Sequence, residues 1–284
     1  MSHRKCNRHR GSKISPTLKR TLFRFFTIAL LVYACLCILM AGCQSKMLYF
    51  PIKKTEPEAL ADAAASDIDP WRDAKGKLIG WKRTSPRTKG RLLVFHGNAG
   101  SAQDRSYYME AFRGQWDVYL LEYPGYGSRH GTPGKKAFIT AGCAAVENLL
   151  EADKRPIFLL GESIGSGTAA AIAGMMPEDI AGAIMVIPFA RLAEVARAKF
   201  PWLPVSLLLR DKFDNIAALA AFHGPVAFVI AEEDEVVGAE QGRKLHAAYA
   251  GRKKLIILPG ATHNNFPTDP SAPWFLEASD FMRK

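Results

Sequence analysis

The sequence predicts an α/β fold: a mostly parallel sheet with helices on both faces. Three observations carry that expectation. Short apolar runs alternate with amphipathic or small-residue stretches from residue 77 to the C-terminus, the rhythm of strand–helix–strand units. Residues 157–167, IFLLGESIGSG, read as a strand buried on both faces, a sharp turn and a tightly packed helix, with Ser163 at the apex. Residues able to do chemistry also fall just after apolar runs, where the carboxyl edge of a parallel sheet collects its functional side chains.

The central stretch has the pattern of a nucleophile elbow. Such a turn forces its serine into a strained backbone, and a β-carbon at Gly161 or Gly165 would collide with the neighbouring strand or helix. The competing reading makes Ser163 a plain strand-to-helix cap; what lies downstream decides against it.

Taken in order, residues 44–73 are alanine-rich and acidic, with no clear core pattern. Residues 77–83 (KLIGWKR) read as an early antiparallel strand, and 91–96 (RLLVFH) as a buried one ending in the glycine-rich turn 97–101 (GNAGS). A helix is expected over 103–113, then a strand at 117–123 (DVYLLEY) that breaks at 124–127 (PGYG). Proline opens the next helix at 133–152. After the elbow come a strand at 183–187 closed by Pro188, strands at 226–231 and 255–258 with a helix at 238–249 between them, and a terminal helix at 273–282. Residues 189–224 hold a helical pattern at 192–200, a PWLP break and further apolar residues, enough for a small cap at most. There Trp202, Leu203, Leu207 and Leu208 are read as core packing, with an acyl-chain pocket as the alternative. No internal repeat is evident.

The chain has 284 residues, 48% of them hydrophobic, which suits one ordinary domain with a full core and additional sequence at an end. The net charge of +11 is concentrated: Arg4, Lys5, Arg8, Arg10, Lys13, Lys19, Arg20 and Arg24 precede an uncharged run at 25–42, and without them +3 remains. A near-neutral body argues against nucleic acid as a partner. A basic flank followed at once by an apolar segment reads as membrane targeting under the positive-inside rule. The run ends in Ala41-Gly42-Cys43, which resembles a bacterial lipoprotein signal and makes Cys43 the candidate lipidation site; an uncleaved signal anchor is the alternative. Either places the body outside the cytoplasm, on the periplasmic side, at the inner or outer membrane. Past Cys43 the one remaining cysteine is Cys143, on the apolar stripe of the 133–152 helix and read as a structural thiol. The expected organisation is therefore 1–42 signal or anchor, 43–75 lead-in and 76–284 catalytic domain.

Three strand ends supply a nucleophile, an acid and a base. Ser163 follows the elbow strand, Asp234 follows AFVIAE, and His263 follows LIILPGAT. A serine hydroxyl needs a base, neutral imidazole can serve, and a carboxylate holds that ring in the right tautomer. Glu232, Glu233 and Glu235 are close enough to stand in for Asp234 if the register is misread. Backbone donors for a developing oxyanion would be the N–H of Ile164 and one from the turn after RLLVFH, Asn98 or else Ala99. That turn could instead cradle phosphate, but no Gly-Lys-Ser/Thr follows it. No cofactor or metal is expected.

The order Ser…Asp…His, with His96-Gly97-Asn98-Ala99-Gly100, Tyr123-Pro124-Gly125-Tyr126-Gly127 and Gly161-Glu162-Ser163-Ile164-Gly165, resembles the α/β-hydrolase superfamily from about residue 46 onward. The chain is similar in particular to a subgroup of small membrane-anchored hydrolases of bacteria and eukaryotes. That subgroup repeats the HGNAG turn, an aromatic-Pro after the anchor (here Tyr49-Phe50-Pro51) and a PWLP segment. One departure is Pro124, where the subgroup more often carries arginine. The resemblance implies a serine hydrolase acting on carboxylic esters or thioesters through an acyl-enzyme, with a small-molecule or lipid-like acyl ester as substrate. A peptidase of the same fold and a non-catalytic binding protein are the alternatives. Serine at the elbow argues against the aspartate-nucleophile enzymes of this fold.

Overall fold

The computed structural model describes residues 15–283. The basic residues Arg4, Lys5, Arg8, Arg10 and Lys13 lie outside the described residues. The chain divides into two units, Met1–Cys43 and Gln44–Lys284.

Helix α1, Pro16–Leu48, contains the whole uncharged run. At ~1.5 Å per residue its 33 residues extend about 50 Å, and it is long and apolar enough to cross a membrane.

The second unit is built on an eight-stranded sheet. In chain order the strands are β1 (Phe50–Pro51), β2 (Asp69–Arg72), β3 (Leu78–Arg83), β4 (Arg91–Phe95), β5 (Ala99–Gly100), β6 (Asp117–Leu121), β7 (Ile157–Glu162), β8 (Ile180–Val186), β9 (Val226–Ala231) and β10 (Lys253–Leu258). The sheet runs β10-β9-β8-β7-β4-β6-β3-β2, and β1 pairs separately with β5. Neighbours from β10 to β6 are parallel; β3 alone runs against the rest, pairing antiparallel with both β6 and the edge strand β2. This is the predicted α/β architecture, including the early antiparallel strand.

Period-two alternation feeds two apolar layers. Leu93 and Phe95 of β4, with Leu159 of β7, pack against one side; Leu92 and Val94, with Phe158 and Leu160, pack against the other. On the first side lie α4 (Lys135–Ala152) and α5 (Ile164–Met175), and also α8 (Asn215–Leu219) and α9 (Ala239–Ala248). The second is covered by α2 (Glu56–Ala65), α3 (Tyr107–Ala111) and α10 (Pro273–Arg283). Each large apolar side chain so buried contributes roughly 1.5–3 kcal/mol.

Two expectations change. Of the stretch 43–75, read as a lead-in, all but Cys43 is part of the second unit: α2 buries Ala59 and Ala63, and β2 closes the sheet edge with Trp71 buried and its indole N–H donating to Asn148 Oδ1 at 2.9 Å. The expected helix over 103–113 is split into a 3-10 turn, Ala102–Arg105, and the short α3, ending before Gly114, which has a φ of +77°. Between β8 and β9 lie α6 (Leu192–Lys199), α7 (Val205–Leu208) and α8, the modest insertion expected.

Candidate active site

Because β4, β7, β9 and β10 are parallel, their carboxyl ends share one sheet edge. His96-Gly97 and Ser163 come directly after β4 and β7, and Asp234 and His263 lie in the loops that follow β9 and β10.

Ser163 sits between β7 and α5 with φ +52° and ψ −118°, a conformation that non-glycine residues rarely adopt. Such strain costs roughly 1–3 kcal/mol and persists where the surroundings over-determine it. They do so here. A Cβ on Gly165 would overlap the Phe95 carbonyl of β4, and one on Gly161 would lie 2.6 Å from Gly165 O and Ser166 Cα. The Ser163 N–H donates to Val186 O of β8 at 2.9 Å, and the Ser166 hydroxyl donates to Ser163 O at 2.6 Å.

Ser163 Oγ lies 3.0 Å from His263 Nε2. On the other side of the ring, His263 Nδ1 lies 2.8 Å from Asp234 Oδ2. Asp234 Oδ1 accepts from the Val236 and Val237 amides at 2.9 and 2.8 Å. Burial pushes the Asp234 carboxyl up, but the imidazole bond and charge and those two amides outweigh it, so it sits below the ordinary aspartate value. Among the neighbouring carboxylates, Glu235 Oε2 accepts the His263 backbone N–H at 3.3 Å and Glu232 accepts from Gly260 N. The ring's carboxylate partner is Asp234. Among the described residues, no group of His, Cys, Asp or Glu is placed to hold a metal ion.

The turn after β4 lies beside the serine: a Cβ on Gly97 would be 3.8 Å from Ser163 Cβ. It is braced by two other stretches. β1 pairs with it in parallel, Phe50 N–H donating to Asn98 O and Ile52 N–H to Gly100 O, both at 2.9 Å. The Tyr126 hydroxyl donates to the same Asn98 carbonyl at 2.8 Å, and the Asn98 side-chain amide donates to Leu48 O at 3.2 Å. Tyr49-Phe50-Pro51, the HGNAG turn and YPGYG therefore form one connected structure. Ile164 is the first residue of α5, where an N–H has no partner one turn back.

Sequence reasoning missed a buried network under this turn. Glu162, the residue before the serine, accepts from Arg105 Nε and Nη2 at 3.1 and 2.8 Å, and from the Tyr107 and Tyr108 hydroxyls at 2.7 and 3.1 Å. Across β4, Glu122 accepts the Ala102 N–H at 3.0 Å, and its Oε1 lies 3.6 Å from His96 Nε2. The available signal was the apolar context of both glutamates, each at the end of a strand buried on both faces.

With the geometry in place, the comparisons identify the class. A family model for the alpha/beta hydrolase fold matches residues 90–223, and the chain belongs to the α/β-hydrolase superfamily. An uncharacterized protein of Mycobacterium tuberculosis is 32% identical over 229 residues, covering 78% of this chain and 81% of that one. A Saccharomyces cerevisiae protein named only as an uncharacterized membrane protein is 28% identical over 200 residues, 66% of this chain and 70% of its own. Among solved structures, Est1E from Butyrivibrio proteoclasticus, with ferulic acid bound, shares the fold at a TM-score of 0.59 and 18% identity, over 72% of this chain and 95% of that one.

Proposed function

We propose that this protein is a serine hydrolase that cleaves carboxylic ester or thioester bonds through an acyl-enzyme. The observation that carries the reading is the hydrogen-bonded series from Ser163 Oγ through the His263 ring to Asp234, built on a serine held in a strained turn. In the first half-reaction His263 Nε2 takes the Ser163 proton as Oγ attacks the acyl carbon. Asp234 keeps Nδ1 protonated and stabilises the imidazolium that forms. The negative oxygen is received by the Ile164 N–H and by a backbone N–H of the braced turn, from Asn98 or Ala99. His263 then gives its proton to the departing alcohol or thiol. Water, deprotonated by the same ring, releases the acid and restores Ser163. Ferulic acid, the molecule bound in Est1E, is a carboxylic acid, the class of product this chemistry releases.

The N-terminal segment is proposed to hold the domain at a membrane outside the cytoplasm, through a lipid on Cys43 after cleavage or through α1 itself. Intact mass of the membrane-extracted protein, with and without Cys43→Ala, separates the two: an acylated species starting at Cys43 supports lipidation, and an unchanged full-length species contradicts it. For the chemistry, Ser163→Ala in the purified full chain is expected to remove hydrolysis of short aryl esters. Activity surviving within about tenfold of wild type would contradict Ser163 as the nucleophile.

A further inference from the structure

The stretch after α6 exposes large apolar side chains, although the Trp202 ring meets Phe200 edge-on at 6.4 Å. Trp202 is 49% exposed and Leu207 81% exposed, while Leu203 and Leu208 are half-buried; core packing, the sequence expectation, does not describe the first two. In the same segment Arg197, Lys199, Arg210 and Lys212 are all exposed, and Asp211 is the only acid between 197 and 212. A segment with exposed tryptophan and leucine and an excess of exposed cations has the composition of a surface that lies at a lipid–water boundary, where indole rings are enriched and basic side chains meet anionic headgroups.

Two sets of hydrogen bonds fix where this surface sits. At its far end the Gln44 side chain donates to Leu208 O at 3.1 Å and accepts from Arg210 N at 2.8 Å, and the Tyr49 hydroxyl donates to Asp211 Oδ2 at 2.6 Å. Gln44 directly follows Cys43 in the chain. Whether the anchor is the apolar helix or a lipid on Cys43, the bilayer begins within a residue or two of Gln44, at about 1.5 Å per residue of α1. At its near end Lys199 Nζ donates to Glu235 O at 2.6 Å, and the Glu235 carboxylate accepts the His263 N–H. The exposed stretch thus runs from the point where the anchor joins the domain to the loop that carries Asp234.

We propose that Trp202 and Leu207 form a lipid-contacting surface that seats the domain on an anionic phospholipid bilayer, so that the Ser163 site takes acyl esters resident in that bilayer. The inference rests on the hydrolase and anchor readings above and adds the second membrane contact and the substrate class.

The test uses the full chain reconstituted into phosphatidylcholine vesicles with and without phosphatidylglycerol. Bromine-labelled lipids should quench part of the wild-type tryptophan emission, more so with phosphatidylglycerol, and Trp202→Phe should lose that part. Equal fractional quenching of the two proteins would overturn the proposal. Leu207→Glu should lower kcat/KM about tenfold on a long-chain ester carried in the vesicle while leaving a soluble short aryl ester within about twofold. Equal losses on both substrates, or none on either, would overturn it. So would loss of a cross-linked dimer in both variants with quenching unchanged, which would make the patch a self-interface. If wild type hydrolyses neither ester but Trp202→Phe still loses its quenching, the lipid surface is supported and only the hydrolase reading falls.

Discussion

Two buried glutamates flank the turn beside Ser163, and their surroundings treat them in opposite ways. Glu162 ends β7 and Glu122 follows β6, the two strands on either side of β4; both are almost inaccessible. Burial pushes the Glu162 carboxyl up, but Arg105 and the two tyrosine hydroxyls outweigh it and hold it below the usual glutamate value. Glu122 has no such set. Arg129 donates to its backbone carbonyl, not its carboxylate, and burial pushes the carboxyl up to about 7 despite the Ala102 amide. Burial and the nearby Arg105 charge push His96 down to about 3, so it remains neutral beside Glu122. Depth alone therefore does not decide charge here; the Arg105 cation, with the donors beside it, does. The turn after β4 hangs between an ionised carboxylate on one side and a carboxyl near its titration point on the other.

The largest way to break this contrast is Arg105→Met, which leaves Glu162 charged, buried and without its cation. A loss of about 3–5 kcal/mol is expected, read from thermal unfolding of the detergent-solubilised chain, and a loss below about 1 kcal/mol would mean that the tyrosines alone suffice.

The next effect depends on pH. The folded-state value of Glu122 lies above its unfolded value, so the stability its proton confers is full below about pH 4.5 and is lost as pH rises through about 7. Glu122→Gln cannot ionise. Its stability relative to wild type should improve by about 3 kcal/mol between pH 4 and pH 8. Parallel stability curves for the two proteins across that range would show that Glu122 is not perturbed.

The smallest of the three is Tyr107→Phe, which removes one of two hydroxyls from Glu162 and should cost about 1–2 kcal/mol at neutral pH. The corresponding cost should vanish in an Arg105→Met background if the network has already come apart, which a double-mutant cycle would reveal.

The same contrast explains what could be read in the chain beforehand. Ser163 was legible because its glycines are dictated by local sterics: Gly165 faces the β4 backbone and Gly161 faces α5, whatever the rest of the fold. Asp234 and His263 were legible because each follows a β-branched, apolar strand within a few residues. Glu162 was visible only as the variable position of the elbow, since its partners come from a segment more than fifty residues away and no spacing links Arg105 to it. The stretch 43–75 was under-read although it carried a signal: Thr55 and Glu58 form a capping box with Pro57 in the first turn of α2. Trp71 on the edge strand gave no such pattern, because a four-residue strand with one buried side chain shows no alternation. The exposure of Trp202 and Leu207 was beyond composition, which counts apolar residues but not which way they face.

The most direct test of the account is labelling of the full chain with a fluorophosphonate, followed by peptide mapping, in wild type, Ser163→Ala and Asp234→Asn. The account predicts a single adduct on Ser163, none in Ser163→Ala, and labelling slowed by orders of magnitude, ~10⁴ in the serine-protease precedent, in Asp234→Asn. An adduct at another residue, or a wild-type chain that resists the probe while folded, would contradict Ser163, His263 and Asp234 as a working catalytic set.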